Sequence, residues 1–365
     1  MTTQNTVSLQ SPKSTAELLS ETAMTFRRHL IISEPQADVL AAWCVHTWVY
    51  ERFQHTPRLA IISPQKRCGK STLIDLLKAF CRSPLKADSA SEAAIFRSIE
   101  KHGPLTLLLD EADSFLPQHP GLRNVINSGY EASGATLRAV KVKDDHDPQA
   151  FKTFCPAALA SIGELPETIA DRAIPIRLRR KTDDESVKKV RHHRKEHGEL
   201  AARIAEWAAA VDLSAHLEPD VPDDFNDRQA DISVPLLAIA DEAGGEWPER
   251  ARSALAELFQ RNEAESTEAK LLTDLRTLFD QAAADRLASA DICESLAKME
   301  ERPWSDMGHG RAITAAQIAR LLEPFGISPG NMRDGEKVLK GYQRSDFTEA
   351  WRRYLPVAEA ATVAA

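Results

Sequence analysis

The stretch from Leu59 to Thr72, Leu-Ala-Ile-Ile-Ser-Pro-Gln-Lys-Arg-Cys-Gly-Lys-Ser-Thr, constrains the fold more than any other part of the chain. A short apolar run with no polar interruption suits a strand buried on both faces, and such strands belong to parallel sheets covered by helices. This one feeds a tight turn and then a helix with Leu73, Ile74, Leu76, Leu77 and Phe80 on its apolar side. Strand, turn and helix in that order create a concavity where backbone N–H groups and the positive helix end converge on an anion. Pro64, Gln65, Lys66, Arg67, Cys68 and Gly69 are the candidate cradle, followed by Lys70, Ser71 and Thr72. Lys70 is placed to reach β- and γ-phosphates, and the Ser71 hydroxyl to bind Mg²⁺. Pro64 stands where a glycine is expected, five residues before Gly69. Proline fixes φ at about −65° and offers no N–H, so the first half of the loop must turn differently.

A second motif lies downstream, Leu105-Thr-Leu-Leu-Leu-Asp-Glu-Ala-Asp113. An apolar run closed by two carboxylates fits a central parallel strand whose C-terminal end opens on a ligand crevice. Asp110 is the candidate Mg²⁺ ligand, directly or through water. Glu111 is the candidate base that orients and deprotonates the water attacking the γ-phosphate. Asp113 is expected to be solvated or to support the other two. Ala157 to Ile162 is another short apolar strand, and Ser161 near its end is a candidate sensor of the γ-phosphate. Arg172 precedes the strand Ala173 to Leu178 and is the candidate finger that one copy presents to its neighbour's nucleotide. Arg228, from its order along the chain, is the candidate second sensor.

Composition limits the alternatives. The five cysteines are scattered and include no CxxC pair, which favours a reducing cytoplasm over a disulfide framework or a zinc site. His192, His193 and His197 lack a Cys or carboxylate partner at ligand spacing, so no structural metal is expected. A net charge of −8 gives no global basic footprint, so any DNA contact must be local. The apolar patch around Val39 to Tyr50 is interrupted by His46 and does not read as a membrane span.

Residues 1–16 are expected to be a loose tail, 17–180 an α/β core with N-terminal helices, and 181–262 a helical lid that includes a basic helix from Lys181 to Lys195. Residues 269–356 show a winged-helix pattern of short helices and a basic strand pair, and 357–365 form a second tail. Thr136 to Lys143 and Ala150 to Phe154 suggest a hairpin around Asp144-Asp-His-Asp-Pro148. Lys141 and Lys143 on that hairpin, with Arg333, Lys337, Lys340 and Arg344 in the C-terminal domain, are candidate DNA contacts. Plain solvated surface or a protein-binding role is the competing reading of these basic positions.

The loop, the motif Leu108-Leu-Asp-Glu-Ala-Asp113, Asn127-Ser-Gly129, Ile162-Gly-Glu-Leu-Pro-Glu-Thr-Ile-Ala-Asp-Arg172 and Pro235-Leu-Leu-Ala-Ile-Ala-Asp241 together resemble a family. It is an uncharacterised domain found in phage, plasmid and bacterial primase-helicase proteins of the AAA+ P-loop ATPase class. The resemblance runs from about Leu40 to Leu355, and the family pattern shares Pro64. It implies a three-layer α/β/α core with a parallel sheet, and ATP with Mg²⁺ in a pocket of Lys70, Ser71, Asp110 and Glu111. It also implies a homo-oligomer, such as a hexamer-like ring, acting near DNA replication of mobile elements. The expected activity is that of a DNA helicase or translocase. The alternative is a nucleotide-dependent scaffold or switch that recruits a protein partner, such as a primase or mobile-element protein, in replication or defence without unwinding DNA.

Overall fold

The computed structural model describes residues 14–142, 145–299, 302–307, 311–334 and 337–355. The chain divides into two compact units, Met1–Phe259 and Gln260–Ala365. Of the expected tails, 1–13 and 356–365 lie outside the described residues, whereas Ser14 already belongs to a helix cap.

The first unit begins with α1 (Thr15–His29) and α2 (Glu34–His46), each opened by a capping box. Ser14 Oγ accepts the Glu17 N–H at 3.3 Å while the Glu17 carboxylate accepts the Ser14 N–H at 2.9 Å, and Ser33 and Gln36 do the same for α2. Reciprocal capping satisfies backbone donors that a helix start otherwise leaves unpaired.

Next come β1 (Arg58–Ser63), α3 (Lys70–Phe80), β2 (Pro84–Ala87), α4 (Glu92–His102), β3 (Thr106–Leu109), α5 (Ala112–Phe115) and α6 (Pro120–Ser128). An antiparallel hairpin of β4 (Ala135–Val142) and β5 (Asp145–Lys152) follows, then β6 (Ala157–Ile162), α7 (Glu167–Ala170) and β7 (Ala173–Arg177). Helices α8 (Arg194–Ala210), α9 (Asp227–Ala243) and α10 (Trp247–Glu265, to Phe259 in this unit) close it.

Five parallel strands make one sheet in the order β2-β3-β6-β1-β7. In β1, Leu59 and Ile61 join a core built with α1, α2, α3, α8, α9 and α10, while Ala60 and Ile62 join another built with α4, α5 and α6. Side-chain alternation along a strand thus buries both faces and produces three layers. The sheet order inserts β6 between the strand that carries the loop and β3, which carries the acids.

Buried polar groups fasten these layers. Arg58, 1% exposed at the start of β1, donates to the carbonyls of Ile126 (3.1 and 2.7 Å) and Cys155 (2.5 Å). Its pKa falls to about 10 through burial, so it remains charged at neutral pH. Arg250 of α10 grips Asp38 of α2 at 2.7 Å. Helix α1 is held at its start by Trp207 Nε1 donating to Thr15 Oγ1 (2.6 Å) and Trp247 Nε1 donating to the Ala16 carbonyl (3.1 Å).

Two expectations change. Lys181 to Lys195 is not a helix: it forms a strap with a turn at Thr182–Glu185 and a single 3-10 turn at Val190–His192, and α8 begins only at Arg194. The Thr182 N–H is taken by the Glu185 carboxylate at 2.9 Å, a local bond that competes with helical pairing. Farther along, Pro235 lies inside α9, which opens under an Asn226–Gln229 capping box. The expected boundary after residue 262 falls inside a helix, because the polar residues after Arg261 continue α10 to Glu265.

The second unit contains α11 (Thr267–Ala282), β8 (Arg286–Ala288), α12 (Ser289–Ala297), α13 (Ala315–Leu322), β9 (Gly330–Asp334), β10 (Lys337–Gln343) and α14 (Arg344–Tyr354). Its antiparallel sheet runs β8-β10-β9. Phe279, Trp304, Phe347 and Trp351 fill the core. Asp274, 5% exposed, accepts from Trp304 Nε1 at 2.6 Å and pairs with Arg302 at 2.9 Å. Among the described residues, no helix is long and apolar enough to cross a membrane.

Candidate functional site

At the C-terminal end of β1 the chain turns through residues whose backbone differs from any regular element. Arg67 has φ 68° and Gly69 φ 94°, so left-handed residues alternate along the loop. Turns of this kind direct successive N–H groups into one concavity. A side chain at position 69 would be strained by that φ, and its Cβ would lie 3.0 Å from Leu30 Cδ2. Leu30 comes from the junction between α1 and α2, so those helices cap the loop. Gly69 gives α3 no side-chain cap, which leaves the first N–H groups of the helix for an anion.

A cleft of about 740 Å³ opens here. Lys66, Arg67, Cys68, Gly69, Lys70, Ser71 and Thr72 line it together with Asp110, Glu111, Asp113, Ser114 and Ile162. Pro64 and Gln65 are exposed and stand outside the lining; Ser63 Oγ donates to the Gln65 carbonyl at 3.1 Å.

The acid side is built with similar economy. Asp110, 9% exposed, accepts the Glu111 N–H on Oδ1 at 3.0 Å, and its other oxygen is 3.6 Å from Lys86 Nζ. Lys86 is also 3.0 Å from Asp88, and the hydrogen bond to Asp88 is the chief cause that holds its pKa above the ordinary lysine value. Glu111 occupies the left-handed region at φ 54°, and Ser114 Oγ donates to its carbonyl at 2.8 Å. Asp113 accepts the Ile162 N–H at 3.1 Å and so ties the acids to the end of β6. Ser161 is fully buried, donates to the Gly163 carbonyl at 2.8 Å, and does not itself line the cleft, although its neighbour Ile162 does.

Other lining residues escape a local reading of the sequence: His29, Leu30 and Ile31 from the α1–α2 junction, and Arg179, Lys181 and Val187 from the strap after β7. Among the described residues, Lys66, Arg67, Lys70, Arg179 and Lys181 give the cleft five cations against three carboxylates in a chain of net charge −8. That local inversion suits an anionic ligand. His29 Nδ1 donates to the Lys188 carbonyl at 2.7 Å and its Nε2 lies 3.2 Å from His197 Nε2; burial, foremost, holds its pKa below the ordinary histidine value.

Arg172 and Arg228 lie elsewhere. Arg172 precedes β7, at the opposite edge of the sheet from the loop, and donates to the Thr168 carbonyl at 2.6 Å. Its guanidinium stacks on Tyr130 at 5.1 Å and that of Arg228 at 4.9 Å, with Arg228 also 3.4 Å from Asp171 and bonded to the Tyr130 hydroxyl. His55 stacks on the same ring at 5.2 Å. Neither arginine lines the cleft.

Of the basic candidates for DNA contact, Lys141 sits on β4, and Lys143 lies outside the described residues. In the second unit Arg333 is on β9, and Lys337 and Lys340 are on β10, Lys340 being exposed. Arg344 pairs with Asp280 and stacks on Trp351 at 5.6 Å, which anchors α14.

Fold and site define a mixed α/β protein with a five-stranded parallel sheet and a cleft, rich in cations, at its C-terminal edge. Residues 177–354 match a family described as protein of unknown function (DUF3631), a range that begins downstream of both the loop and the acids. A 28.9 kDa protein of Saccharopolyspora erythraea, described by its position in a xis 5′ region, is 38% identical over 188 residues, covering 49% of this chain and 69% of that one. The chain belongs to the family of that protein. Among solved structures, the C-terminal region of NrS-1 is 11% identical with a TM-score of 0.38, covering 92% of this chain and 79% of that one. The ORC2 protein of Aeropyrum pernix in its ADP form is 12% identical with a TM-score of 0.26, covering 80% and 84%. JCV helicase with a thiazolopyridine acetamide bound is 14% identical with a TM-score of 0.27, covering 64% and 65%.

Proposed function

We propose that this chain is an Mg²⁺-dependent ATP hydrolase of the AAA+ type that acts as a helicase or translocase on the DNA of mobile elements. The observation that carries the proposal is the convergence of residues 66–72 with Asp110 and Glu111 on one cleft at the C-terminal edge of a parallel sheet. Backbone N–H groups of the loop and Lys70 hold the phosphates, and Glu111 takes a proton from the attacking water. One hydroxyl and one carboxylate fit Mg²⁺, which keeps waters and phosphate oxygens as its other ligands. Ser71 and Asp110 would hold it, and it would neutralise charge on the β- and γ-oxygens. Because Arg172 stands at the edge remote from its own cleft, its role as a finger requires a neighbouring copy, in a hexamer-like ring or a partial one. The succession α11, β8, α12, α13, β9, β10 supports a winged-helix reading of the second unit.

Hydrolysis assayed with and without DNA tests the proposal. Lys70→Ala should abolish turnover, and Glu111→Gln should still bind ATP but turn over about 10²–10⁴-fold more slowly, the usual contribution of a general base. Equal rates with and without DNA would sink the motor, and absence of hydrolysis would sink the enzyme. A second reading, a nucleotide-dependent scaffold for a primase or mobile-element protein, draws on the anchored Arg344 and the charge of −8. ATP-dependent partner capture without DNA retention would favour it.

A further inference from the structure

Two of the cleft's cations come from neither the loop nor the acid strand: Arg179 and Lys181. Both follow β7 just beyond its last paired residue, Arg177, which is in register with Ile62 of β1. The Leu178 N–H donates to the Ile62 carbonyl at 2.8 Å, so the root of the strap is anchored beside the start of the loop. β7 flanks β1 on the side away from β6 and β3. Residues leaving β7 therefore meet the part of a ligand farthest from Asp110 and Glu111. For a nucleotide whose terminal phosphate faces those acids, that part is the nucleoside and the phosphates it retains.

Arg179 has a weak partner at present. Its Nη2 donates to Glu185 Oε1 at 2.7 Å, with the arginine side chain 67% exposed and the glutamate 21%. Glu185 is held in place: its other oxygen accepts the Thr182 N–H at 2.9 Å, and Lys181 Nζ lies 3.5 Å from its carbonyl. An exposed pair of this kind contributes little and exchanges readily. Phosphate offers a guanidinium a bidentate, charge-assisted match. Resting on the reading of the cleft as a nucleotide site, we propose that Arg179 binds the non-transferred phosphates of its own chain's nucleotide, and that Glu185 is the counter-ion it leaves when nucleotide enters.

The test is a fluorescence titration of the full chain with labelled ADP and with a labelled, slowly hydrolysed ATP analogue, both with Mg²⁺. Arg179→Ala should weaken the two by a similar factor, about ten- to a hundredfold, the range of a hydrogen bond to a charged group. Glu185→Gln should tighten both severalfold, and that gain should vanish in the double variant. Arg180→Ala, exposed and outside the lining, should change neither. Unchanged affinity in Arg179→Ala, beside a weakened Lys70→Ala, would overturn the assignment and leave the nucleotide site standing. A loss confined to the triphosphate would overturn it too, by moving Arg179 to the terminal phosphate. Weakening in Glu185→Gln would show that the pair merely holds the strap. If the unaltered protein binds neither nucleotide, the reading beneath the proposal falls with it.

Discussion

Acidification should weaken the first unit through His46, and the size of the effect follows from the surroundings of the ring. The side chain is fully buried on α2, packed on Phe53 at 5.8 Å, with Nε2 bonded to Thr56 Oγ1 at 2.9 Å. Its Nδ1 has no hydrogen-bond partner among the described residues. Burial lowers the pKa from 6.5 to about 3, so the folded protein holds this imidazole neutral. Well above pH 6.5, from about pH 7.5, neither state carries the proton and the full stability is present. Below about pH 6.5 the unfolded chain takes up a proton that the folded chain refuses, so stability falls by about 1.4 kcal/mol per pH unit until the folded pKa is reached. Relative to the plateau above that range, the loss reaches about 2.7 kcal/mol at about pH 4.5, a large share of the ~5–15 kcal/mol that typical proteins possess. Urea unfolding of the unaltered protein and of His46→Gln, at about pH 7 and about pH 4.5, isolates the effect. Glutamine keeps a polar partner for Thr56 and does not titrate, and carboxylates common to both proteins cancel in the difference. A stability gap between the two proteins that is the same at both pH values would refute the reasoning.

Lys86→Met removes a cation 3.6 Å from the Asp110 carboxylate, one that would compete with the Mg²⁺ proposed for that carboxylate. Half-saturating Mg²⁺ in a nucleotide titration should fall about twofold to fivefold, a modest factor because the lysine is partly exposed; a rise would show that Lys86 positions Asp110 instead. Trp304→Phe removes the donor that meets Asp274 at 2.6 Å, which should destabilise the second unit by about 1–3 kcal/mol in urea; no shift in midpoint would mean that Arg302 alone satisfies the carboxylate.

The parts of the site that the sequence displays are those made by local rules. β1 and β3 announce themselves as continuous apolar runs, and the residues that follow each strand land on the cleft because parallel strands end at one edge of the sheet. β2 has only four residues, none buried, so it lacks that signature. The hairpin is longer than its composition suggests: Asp145 to Pro148 reads as a turn, yet Pro148 pairs in register with Ala139. A two-stranded ribbon leaves room for a proline that a central strand would reject. Arg179 and Lys181 carry a sign in retrospect, a basic cluster directly after an apolar strand. Their place at the cleft depends on β7 lying beside β1, which no local pattern states. Likewise, His29 and His197 meet across 168 positions of chain.

Helix α1 has a mechanical consequence. It is 15 residues long, which makes it a rod of about 22 Å. Its C-terminal end lays Leu30 on the glycine of the loop, and its first residues are pinned by the indoles of Trp207 and Trp247. A rod fixed to both ends works as a lever, because a tilt of a few degrees at the loop displaces the far end by roughly 1 Å. Any shift of Gly69 as the cleft fills would thus be delivered, without an intervening hinge, to α8 and α10 on the far side of the rod.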